Sequence, residues 1–502
     1  MINKMNPQYP NFFDAELLAK RERLIESGVN PYPYTFYRSH SIQQILDNET
    51  TLSDSKTTCS IVGRVTAIRV MGKSVFLDLL DDTARIQVYT GKNAFSDADW
   101  ELITKMMDIG DYISVAGYVF RTKMGELSLH AEKIQIVCKS VVRIPYGKAT
   151  DEKVYNEVAD PEIIYRERYI YWQTNQEARK KIETRFRIIS LIRQWMEKEG
   201  FLEVTTPTVE MVYGGAEARP FETNIWALNK QKAFLRISPE LYLKRYIAAG
   251  FPKVFSICQN FRNEGIDRSH NPEFTMMEWY EAGTDYVRQM ERFEQLVEYL
   301  AIQTFGSSTI EYQGKTINLA APWKRITMVD AIKQNAGIDV ISMSETDIEK
   351  YMTDKNIDFL EGQPKGLLIA HLFEELCEKE LIQPTFVIDH PVEISPLTKV
   401  KRGMPGFVER FEPFINAMEV GNAYSELTDP VEQYDRLAKQ REIRNEDDFE
   451  NHPIDLDFIK AVGVGLPPTG GVGLGVDRII MLLTNSSTIR EIIPFPMMKP
   501  IN

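Results

Sequence analysis

The segment RISPELYLKRYIAAGFPKVFSICQNFRNEGIDRSHNPEFTMMEWY, residues 236–280, carries an unusual number of charges within an apolar frame. Its part VFSI, residues 254–257, predicts one strand, and FTMMEWYEA, residues 274–282, predicts a second. The asparagines, glycine and proline between them are turn residues, so the two strands are expected to pair as an antiparallel hairpin.

The charged residues of the hairpin would lie on neighbouring strands. Because alternate residues of a strand share a face, one face would carry an arginine, two carboxylates and a tyrosine: Arg262, Glu264, Glu278 and Tyr280. Charged side chains on such a face would be unfavourable in an apolar core, so the face predicts a polar site. The alternative is a solvated hairpin, since charge on half of a strand is ordinary.

Length and composition limit the classes of protein that remain. The chain has 502 residues, of which 43% are hydrophobic and 26% charged, which fits a soluble protein of two or three domains. No apolar run is long enough for a bilayer, and the N-terminus has no signal-peptide core, so we expect a cytoplasmic protein with no membrane partner. Four scattered cysteines argue against a disulfide framework or a zinc site. The net charge of −13 requires any nucleic-acid contact to use locally clustered basic residues.

From Cys59 to Cys138 the pattern changes to short alternating segments. Five of them predict strands: SIVGRVTAIRV, KSVFLDLLD, ARIQVYTG, DYISVAGYVFR and ELSLHAEKIQIV. A helix, DADWELITKMM, is predicted between the third and fourth strands, and this order is typical of an OB-fold barrel. Such barrels stack single-stranded bases on aromatic side chains. Phe76, Gln87 and Glu126 are candidates for reading bases, although each alone could be structural.

Helices are predicted on both sides of this barrel. Residues 12–28 have apolar side chains at helical spacing, and residues 177–199 predict a longer amphipathic helix. The apolar side of the long helix would hold Ile182, Phe186, Ile189, Trp195 and Met196. A Gly-Gly loop, YGGAEARPF, follows at residues 213–221, where glycines would let the backbone approach a ligand closely.

A second group of carboxylates lies in residues 409–427. Glu412, Glu419 and Glu426 recur every seven residues. A proline and a glycine interrupt this segment, so strands are favoured over one helix. Carboxylates beside a nucleotide suit Mg²⁺, which takes a few carboxylates together with phosphate oxygens. Further along, GLPPTGGVGLGVDRIIMLL, residues 465–483, predicts a Gly-rich strand that leads into a helix.

Three motifs resemble those of the class II aminoacyl-tRNA synthetases. FRNEG followed by NPEFTMMEWY is similar to motif 2, the long helix with FLEVTTPTV and Pro207 resembles motif 1, and GLGVDR is similar to motif 3. ISPELYLKR, together with RVMGKSVFLDL, RIQVY and GEL in the barrel, is similar to the lysyl-tRNA synthetases, which form a subgroup with the aspartyl and asparaginyl enzymes. The resemblance covers both ends of the chain and most of what lies between.

The resemblance implies an α+β protein. It would have an N-terminal five-stranded OB-fold barrel and a C-terminal class II antiparallel sheet flanked by helices, with a small helical insertion. The implied segments are a helical extension at 1–58, an anticodon-binding barrel at 59–140, a linker at 141–165 and a catalytic domain at 166–502 with the insertion at about 305–385. Motif 1 builds the dimer interface in this class, so a homodimer is expected; a helix packed only on its own sheet is the alternative.

The implied reaction activates L-lysine with ATP as lysyl-adenylate and transfers it to the 3′ end of lysine tRNA, with Mg²⁺ as the cofactor. Two anions meet in the first step, so positioning and positive charge would supply most of the rate enhancement. Arg262 would bridge the substrate carboxylate and the α-phosphate, because a guanidinium is always charged and offers a planar fork. Phe274 and Arg478 would sandwich the adenine.

The resemblance assigns the site residues in groups. The catalytic residues would be Arg262 and Arg478. Lysine would be bound by Gly215, Glu240, Arg262, Glu278, Tyr280, Asn422, Tyr424 and Glu426. ATP would be bound by Arg262, Glu264, Arg268, His270, Asn271, Phe274, Glu412, Glu419 and Arg478, with Mg²⁺ on Glu412 and Glu419. The anticodon would be bound by Arg69, Phe76, Gln87 and Glu126.

Some alternatives stay open at this stage. Bacterial relatives often have VRH where this chain has DRSH, so either Arg268 or His270 would meet the γ-phosphate. An aspartyl or asparaginyl ligase is a second possibility, but those enzymes carry a glutamine at the position of Glu240. A lysyl transferase that modifies a protein would lack the barrel. A nucleic-acid-binding protein with an inactive ligase domain would have lost motif residues that this chain keeps.

Overall fold

The computed structural model describes residues 10–146, 148–149, 154–155, 158–443 and 454–500. They divide into two compact units: Met1–Asp160 with Tyr169–Thr174, and Pro161–Arg168 with Asn175–Asn502. The predicted domain boundaries remain predictions. Parts of the predicted segments lie outside the described residues: 1–9 of the extension, 147, 150–153 and 156–157 of the linker, and 444–453 and 501–502 of the catalytic domain.

The first unit is built around a closed barrel. Its strands are β1 Thr58–Met71, β2 Ser74–Leu80, β3 Arg85–Gly91, β4 Tyr112–Arg121 and β5 Leu127–Cys138. They close in the order β1-β2-β3-β5-β4, which confirms the predicted five-stranded barrel. Burial alternates along β4 from Tyr112 to Phe120 because one face packs inside the barrel. At Gly117 a Cβ would lie 1.9 Å from the carbonyl oxygen of His130, so only glycine fits this strand crossing.

Helices surround the barrel in the order α1 Ala15–Glu26, α2 Ile42–Asp47, α3 Glu49–Ser55 and α4 Asp97–Glu101. The predicted first helix begins at Ala15 because Oδ1 of Asp14 accepts from two free backbone N–H groups, at 3.0 and 3.1 Å. It ends before Gly28, whose φ of +81° favours glycine. The predicted helix between the third and fourth strands is α4, continued by a π-helical turn over Leu102–Met106.

In chain order the remaining strands are β6 Lys148–Ala149, β7 Val154–Tyr155, β8 Leu202–Glu203, β9 Val209–Glu210, β10 Glu222–Ile225, β11 Gln231–Leu235, β12 Lys253–Phe261, β13 Glu273–Ala282, β14 Thr309–Tyr312, β15 Lys315–Asn318, β16 Lys324–Thr327, β17 Thr385–Pro391, β18 Phe407–Ile415, β19 Met418–Glu419, β20 Gly421–Ser425 and β21 Thr469–Leu474. Most of them have two to six residues, and the longer ones are β12, β13, β17 and β18. The second unit has a sheet in the order β16-β17-β18-β20-β21-β13-β12-β8, with β19 paired to β18. Its neighbours are antiparallel except at the two ends, where β16 pairs with β17 and β8 with β12 in parallel.

The remaining helices are α5 Pro161–Tyr165, α6 Arg168–Thr174, α7 Gln176–Lys198, α8 Glu240–Ala248, α9 Tyr286–Phe305, α10 Met328–Ala336, α11 Glu345–Asp354, α12 Lys365–Leu376, α13 Pro430–Ile443, α14 Leu456–Gly465, α15 Val476–Leu483 and α16 Ile489–Ile492. They belong to the second unit, except α6, of which Tyr169–Thr174 belong to the first unit. In the described part of the chain, no helix is both long and apolar enough to cross a membrane.

The predicted hairpin is strands β12 and β13, which pair along their whole length with Ser256 opposite Glu278. Strand β12 continues beyond the predicted VFSI to Phe261, so it delivers Arg262 to the end of the hairpin. The predicted strands of residues 409–427 are β18 to β20, and the Gly-rich strand is β21. Strand β21 lies between β13 and β20 and joins the two predicted groups of carboxylates in one sheet.

One part of the sequence interpretation needs correction. Phe186 is predicted on the same apolar side of α7 as Ile182 and Trp195, but it lies outside the buried stripe, and 57% of its surface is exposed. The buried stripe of α7 instead passes through Arg185, which is neutralised by a buried aspartate of α15. Within residues 305–385, α10 to α12 pack on a separate apolar cluster, but the stretch also forms the hairpin β14–β15 and the sheet strand β16. These four-residue strands are too short to leave a clear pattern.

Candidate active site

A cleft of about 380 Å³ lies over the large sheet of the second unit. The Gly-Gly loop, the hairpin, strands β20 and β21 and the start of α15 contribute to its lining. Most of the predicted lysine and ATP residues line it: Gly215, Glu240, Arg262, Glu264, His270, Asn271, Phe274, Glu278, Tyr280, Glu419, Asn422, Tyr424 and Arg478. Three others, Arg268, Glu412 and Glu426, do not line it, although Glu426 is buried directly behind the lining residue Gly471.

The inner end of the cleft holds three buried carboxylates. Glu240 and Glu278 are each 4% exposed, and Glu426 is 1% exposed. Glu278 accepts two hydrogen bonds, one from Ser238 Oγ to Oε1 at 2.7 Å and one from the hydroxyl of Tyr280 to Oε2 at 3.0 Å. The sequence interpretation passed over Ser238, because its role depends on this contact across the sheet.

A lysine of the chain itself lies among these carboxylates. Nζ of Lys244, one helical turn after Glu240 on α8, is 2.6 Å from Glu240 Oε1 and 2.5 Å from Glu426 Oε2. Its side chain has no exposed surface. Glu240 Oε1 also accepts from the hydroxyl of Tyr424 at 2.6 Å. Lys244 was not predicted, and its spacing of four residues from Glu240 was the only available signal.

Burial changes the titration of this pocket. Loss of water raises the pKa of Glu278 to about 8, and the neighbouring charge of Glu240 adds to this effect. Burial alone would lower the pKa of Lys244, but the charges of Glu240 and Glu426 outweigh it and leave that pKa raised. Lys244 therefore keeps its positive charge, while Glu278 is largely protonated near neutral pH when no ligand is bound.

Two glycines make room for the pocket. Gly215 has a φ of +85°, and a Cβ there would lie 2.9 Å from Cβ of Glu240. At Gly471, on β21, a Cβ would lie 2.0 Å from Oε1 of Glu426 and 2.4 Å from the ring of Tyr280. The Gly-rich strand is therefore needed so that a glutamate and a tyrosine can lie against its backbone.

Positive charge lies at the open end of the cleft. The guanidinium of Arg262 is 5.2 Å from the ring centroid of Phe274. Arg478, in the first turn of α15, donates to the carbonyl oxygen of Glu419 at 2.6 Å, and its Nη2 is 3.3 Å from Nε2 of His270. The predicted sandwich of adenine between Phe274 and Arg478 stays a prediction.

The loop between the hairpin strands contains the two residues that could bind the γ-phosphate, His270 and Arg268, and their surroundings differ. His270 lines the cleft, and its Nδ1 lies 2.8 Å from Oδ2 of Asp267. The guanidinium of Arg268 instead donates to the carbonyl oxygen of Ser487, at 3.1 and 3.3 Å. This geometry favours His270 over Arg268.

The predicted metal ligands lie on neighbouring strands β18 and β19. Arg410, which was not predicted, donates to Glu412 at 2.6 Å and to Oδ1 of Asn422 at 3.0 Å. Burial, and then the charge of Glu412, raise the pKa of Glu419, so a further positive charge between these carboxylates would be favourable. Among the described residues, no three acidic, histidine or cysteine side chains are grouped to hold a metal by themselves. The pair fits a cation that takes its other ligands from phosphate and water.

A buried ion pair joins the three predicted motifs. Arg185 of α7 contacts Asp477 of α15 and donates to Oγ1 of Thr275 at 2.8 Å. Asp477 Oδ2 accepts from the backbone N–H of Thr275, on β13, at 2.8 Å. The pair fixes the helix that carries Arg478 against the hairpin that carries Arg262.

The candidate anticodon residues lie together on the outside of the barrel. Phe76 is half-buried between the fully buried Val75 and Leu77, so it faces away from the barrel core. Arg69 is its cross-strand partner. It donates to Asp78, at 3.2 Å in the shorter contact.

The other two candidates are linked through one serine. Ser128 Oγ donates to Oε1 of Gln87 at 3.0 Å and lies 3.4 Å from the carbonyl oxygen of Glu126. The sequence interpretation missed an aromatic row on this face. Cross-strand pairing aligns Phe76, Tyr89, His130 and Tyr118, with neighbouring ring centroids 5.1, 5.3 and 4.8 Å apart.

Comparison with known proteins agrees with this geometry. Residues 160–499 match the family described as tRNA synthetases class II (D, K and N), and residues 59–137 match the OB-fold nucleic acid binding domain. A lysine–tRNA ligase of Methanoculleus marisnigri is 43% identical over 97% of this chain and 95% of its own length. Lysine–tRNA ligase 2 of Methanosarcina mazei is 45% identical over 97% and 94%, and a lysine–tRNA ligase of Thermotoga maritima is 41% identical over 97% and 96%. The chain belongs to the class II tRNA synthetases of the D, K and N group, in the family that includes these lysine–tRNA ligases.

Proposed function

We propose that this chain is a lysine–tRNA ligase that activates L-lysine with ATP and transfers it to the 3′ end of lysine tRNA. The observation that carries the proposal is the pocket in which Glu240, Glu278 and Glu426 are buried at the inner end of the cleft. A ligand with two ammonium groups suits such a pocket, because buried carboxylates need positive partners. The similarity to lysine–tRNA ligases over nearly the whole chain supports the same substrate.

The lysine side of the cleft would bind both ends of the amino acid. Glu240 and Gly215 would take the α-ammonium, while Glu278, Tyr280 and Glu426 would surround the far ammonium. Arg262 and Asn422 would hold the carboxylate, and Tyr424 would orient Glu240 through its hydroxyl. An analogue without the far ammonium would leave buried acceptors unpaired, which is the strongest means of rejection for such a site.

In the first step a carboxylate oxygen of lysine attacks the α-phosphorus of ATP, and pyrophosphate leaves. No nucleophilic side chain is required, so the chain acts by positioning and by electrostatic stabilisation. The Arg262 guanidinium would hold the two anions together, which suits its fixed charge and planar fork. The nucleotide would be held by Glu264, His270, Asn271, Phe274 and Arg478.

Mg²⁺ is the proposed cofactor, and Glu412 and Glu419 are its proposed protein ligands. When bound beside the triphosphate, such an ion neutralises phosphate charge and orients the oxygens. The repulsion between the two carboxylates supports a cation at this position. Arg410 would hold Glu412 in place, since it already donates to that side chain.

In the second step the 3′-hydroxyl of the tRNA attacks the adenylate carbonyl carbon, and AMP leaves. The barrel would select the tRNA by its anticodon through Arg69, Phe76, Gln87 and Glu126. The aromatic row beside Phe76 gives further surface on which bases can stack. As an enzyme of translation, the chain would act in the cytoplasm.

A homodimer is also proposed. Motif 1 of the class builds its dimer interface, and here the corresponding region exposes the apolar residues Phe186, Leu202 and Met211. Exposed apolar surface of this kind is typical of an association site. Sedimentation equilibrium of the chain and of Phe186→Glu tests this assignment; equal mass at the monomer value for both would remove it.

The proposed reaction is tested by ATP–pyrophosphate exchange with each amino acid in turn. We expect exchange with lysine and negligible exchange with aspartate or asparagine. Charging of lysine tRNA, with an asparagine tRNA as control, then tests the second step. Robust exchange with aspartate or asparagine and none with lysine would overturn the proposal in favour of another ligase of the same group.

A further inference from the structure

We propose that Lys244 is an internal counter-charge that makes the pocket select an amino acid with two ammonium groups. This inference rests on the proposed lysine activation and assigns a specificity role to a residue that would not touch the reacting atoms. It starts from the juxtaposition of one buried ammonium, on α8, with two buried glutamates, one at the start of the same helix and one directly after β20.

Lys244 is held firmly in this position. Its Nζ contacts Glu240 and Glu426 at 2.6 and 2.5 Å. It also lies 5.4 Å from the ring centroid of Tyr424 and 5.8 Å from that of Phe458. A lysine ammonium is favoured over aromatic faces as well as beside carboxylates. The side chain therefore behaves as a fixed charge of the pocket rather than as a mobile surface group.

The ionised side chains of the pocket carry more negative charge than positive charge. When all three carboxylates are ionised, Glu240, Glu278 and Glu426 face the single ammonium of Lys244, which leaves two negative charges for a ligand to pair. Lysine brings two ammonium groups, while its carboxylate would go to Arg262 at the open end of the cleft. Aspartate and asparagine each bring one ammonium and would leave a buried carboxylate uncompensated, which is strongly unfavourable.

Lys244 also decides which oxygens stay free for the substrate. Both the Lys244 contact and the Tyr424 hydrogen bond fall on Oε1 of Glu240, so Oε2 keeps its lone pairs. On Glu426, Lys244 faces Oε2. Both oxygens of Glu426 are buried, and neither has a hydrogen-bond partner among the described residues. A buried acceptor without a donor is costly and points to a missing ligand group, here an ammonium.

The test begins with Lys244→Met, which keeps the length and removes the charge. With lysine bound, one buried carboxylate would then have no positive partner, so we expect the dissociation constant for lysine, measured by calorimetry without ATP, to rise on the order of 100-fold. The KM for ATP should not change, which separates this effect from general damage. Lys333→Met on α10 is the matched control, because that side chain is 60% exposed and pairs only with Asp339.

The decisive variant combines Lys244→Met with Glu426→Gln. Glu426→Gln alone leaves one positive charge too many when lysine binds, and the double variant restores the balance. We therefore expect the double variant to bind lysine more tightly than either single variant, and to melt higher than Lys244→Met if that variant folds poorly. A purely structural lysine predicts no such rescue.

The outcomes separate this inference from the proposed function. A double variant no better than Glu426→Gln alone, in lysine affinity and in melting temperature, overturns the role of Lys244. That role is also overturned if Lys244→Met binds lysine with the affinity of the wild type. Failure of the wild-type protein to exchange pyrophosphate with lysine would instead overturn the proposed function itself.

Discussion

The lysine pocket of the second unit and the base-reading face of the first unit are proposed to recognise their ligands in opposite ways. In the pocket, carboxylates less than 5% exposed contact a lysine, a serine and two tyrosines. On the barrel, Phe76 and the aromatic row beside it lie half-exposed over a complete core. Burial makes every polar group in the pocket depend on its neighbours, whereas the barrel residues can be changed nearly one at a time.

Between the cleft and the barrel, the larger effect of a single substitution is expected at the phosphate end of the cleft. Glu419→Gln keeps the shape of the side chain and removes half of the proposed metal site, so we expect exchange with lysine to fall on the order of 100- to 1,000-fold. Excess Mg²⁺ should restore part of the activity, and lysine binding without ATP should persist. Glu432→Gln, at a half-exposed glutamate of α13 that pairs with Arg436, is the control. Wild-type exchange across a Mg²⁺ titration would remove Glu419 from the metal site.

A smaller effect is expected from a substitution on the barrel, and it tests whether the exposed face can be changed without loss of stability. Phe76→Ala removes one stacking surface, worth about 1–3 kcal/mol per base, so charging of lysine tRNA should fall roughly ten- to a hundred-fold. Lysine activation without tRNA should be unchanged. The neighbouring Val75→Ala opens the barrel core and should lower the melting temperature instead. If Phe76→Ala lowers the melting temperature as much as Val75→Ala does, the residue is structural and the contrast fails.

The smallest effect is a dependence of lysine binding on pH. The pKa of Glu278 is raised to about 8 by burial and by Glu240, while Ser238, Tyr280 and Lys244 favour the ionised form. Near pH 7 the empty pocket therefore holds a proton on Glu278 that must leave when the substrate ammonium arrives. Affinity for lysine should rise between pH 7 and pH 8 by at most about tenfold and then level off.

Calorimetry in buffers of different ionisation enthalpy measures the number of protons released when lysine binds. We expect proton release on lysine binding at pH 7 that fades above pH 8, and no release in Glu278→Gln. Proton uptake, or release that persists unchanged in Glu278→Gln, would show that another group titrates.

The sequence predicted those elements whose pattern is local. The period of two along the barrel strands and the turn residues of the hairpin were enough to predict both, and the Gly-rich strand before Arg478 was found in the same way. What the sequence missed depends on contacts between distant segments. The role of Lys244 becomes visible only when the chain after β20 brings Glu426 to α8. The role of Arg410 becomes visible only when β18 pairs with β20 and its guanidinium reaches Asn422. The exposure of Phe186 follows from the Arg185 ion pair, which no helical pattern reveals.

We propose that the pocket is built to pair a second, distal ammonium group. The most direct test compares lysine with norleucine, which has the same carbon chain without that ammonium, by ATP–pyrophosphate exchange on the wild-type protein. Because buried acceptors would be left unpaired, we expect kcat/KM for norleucine to be lower by on the order of 10⁴- to 10⁵-fold. A difference of only about tenfold, the size expected from lost apolar contact alone, would contradict the account.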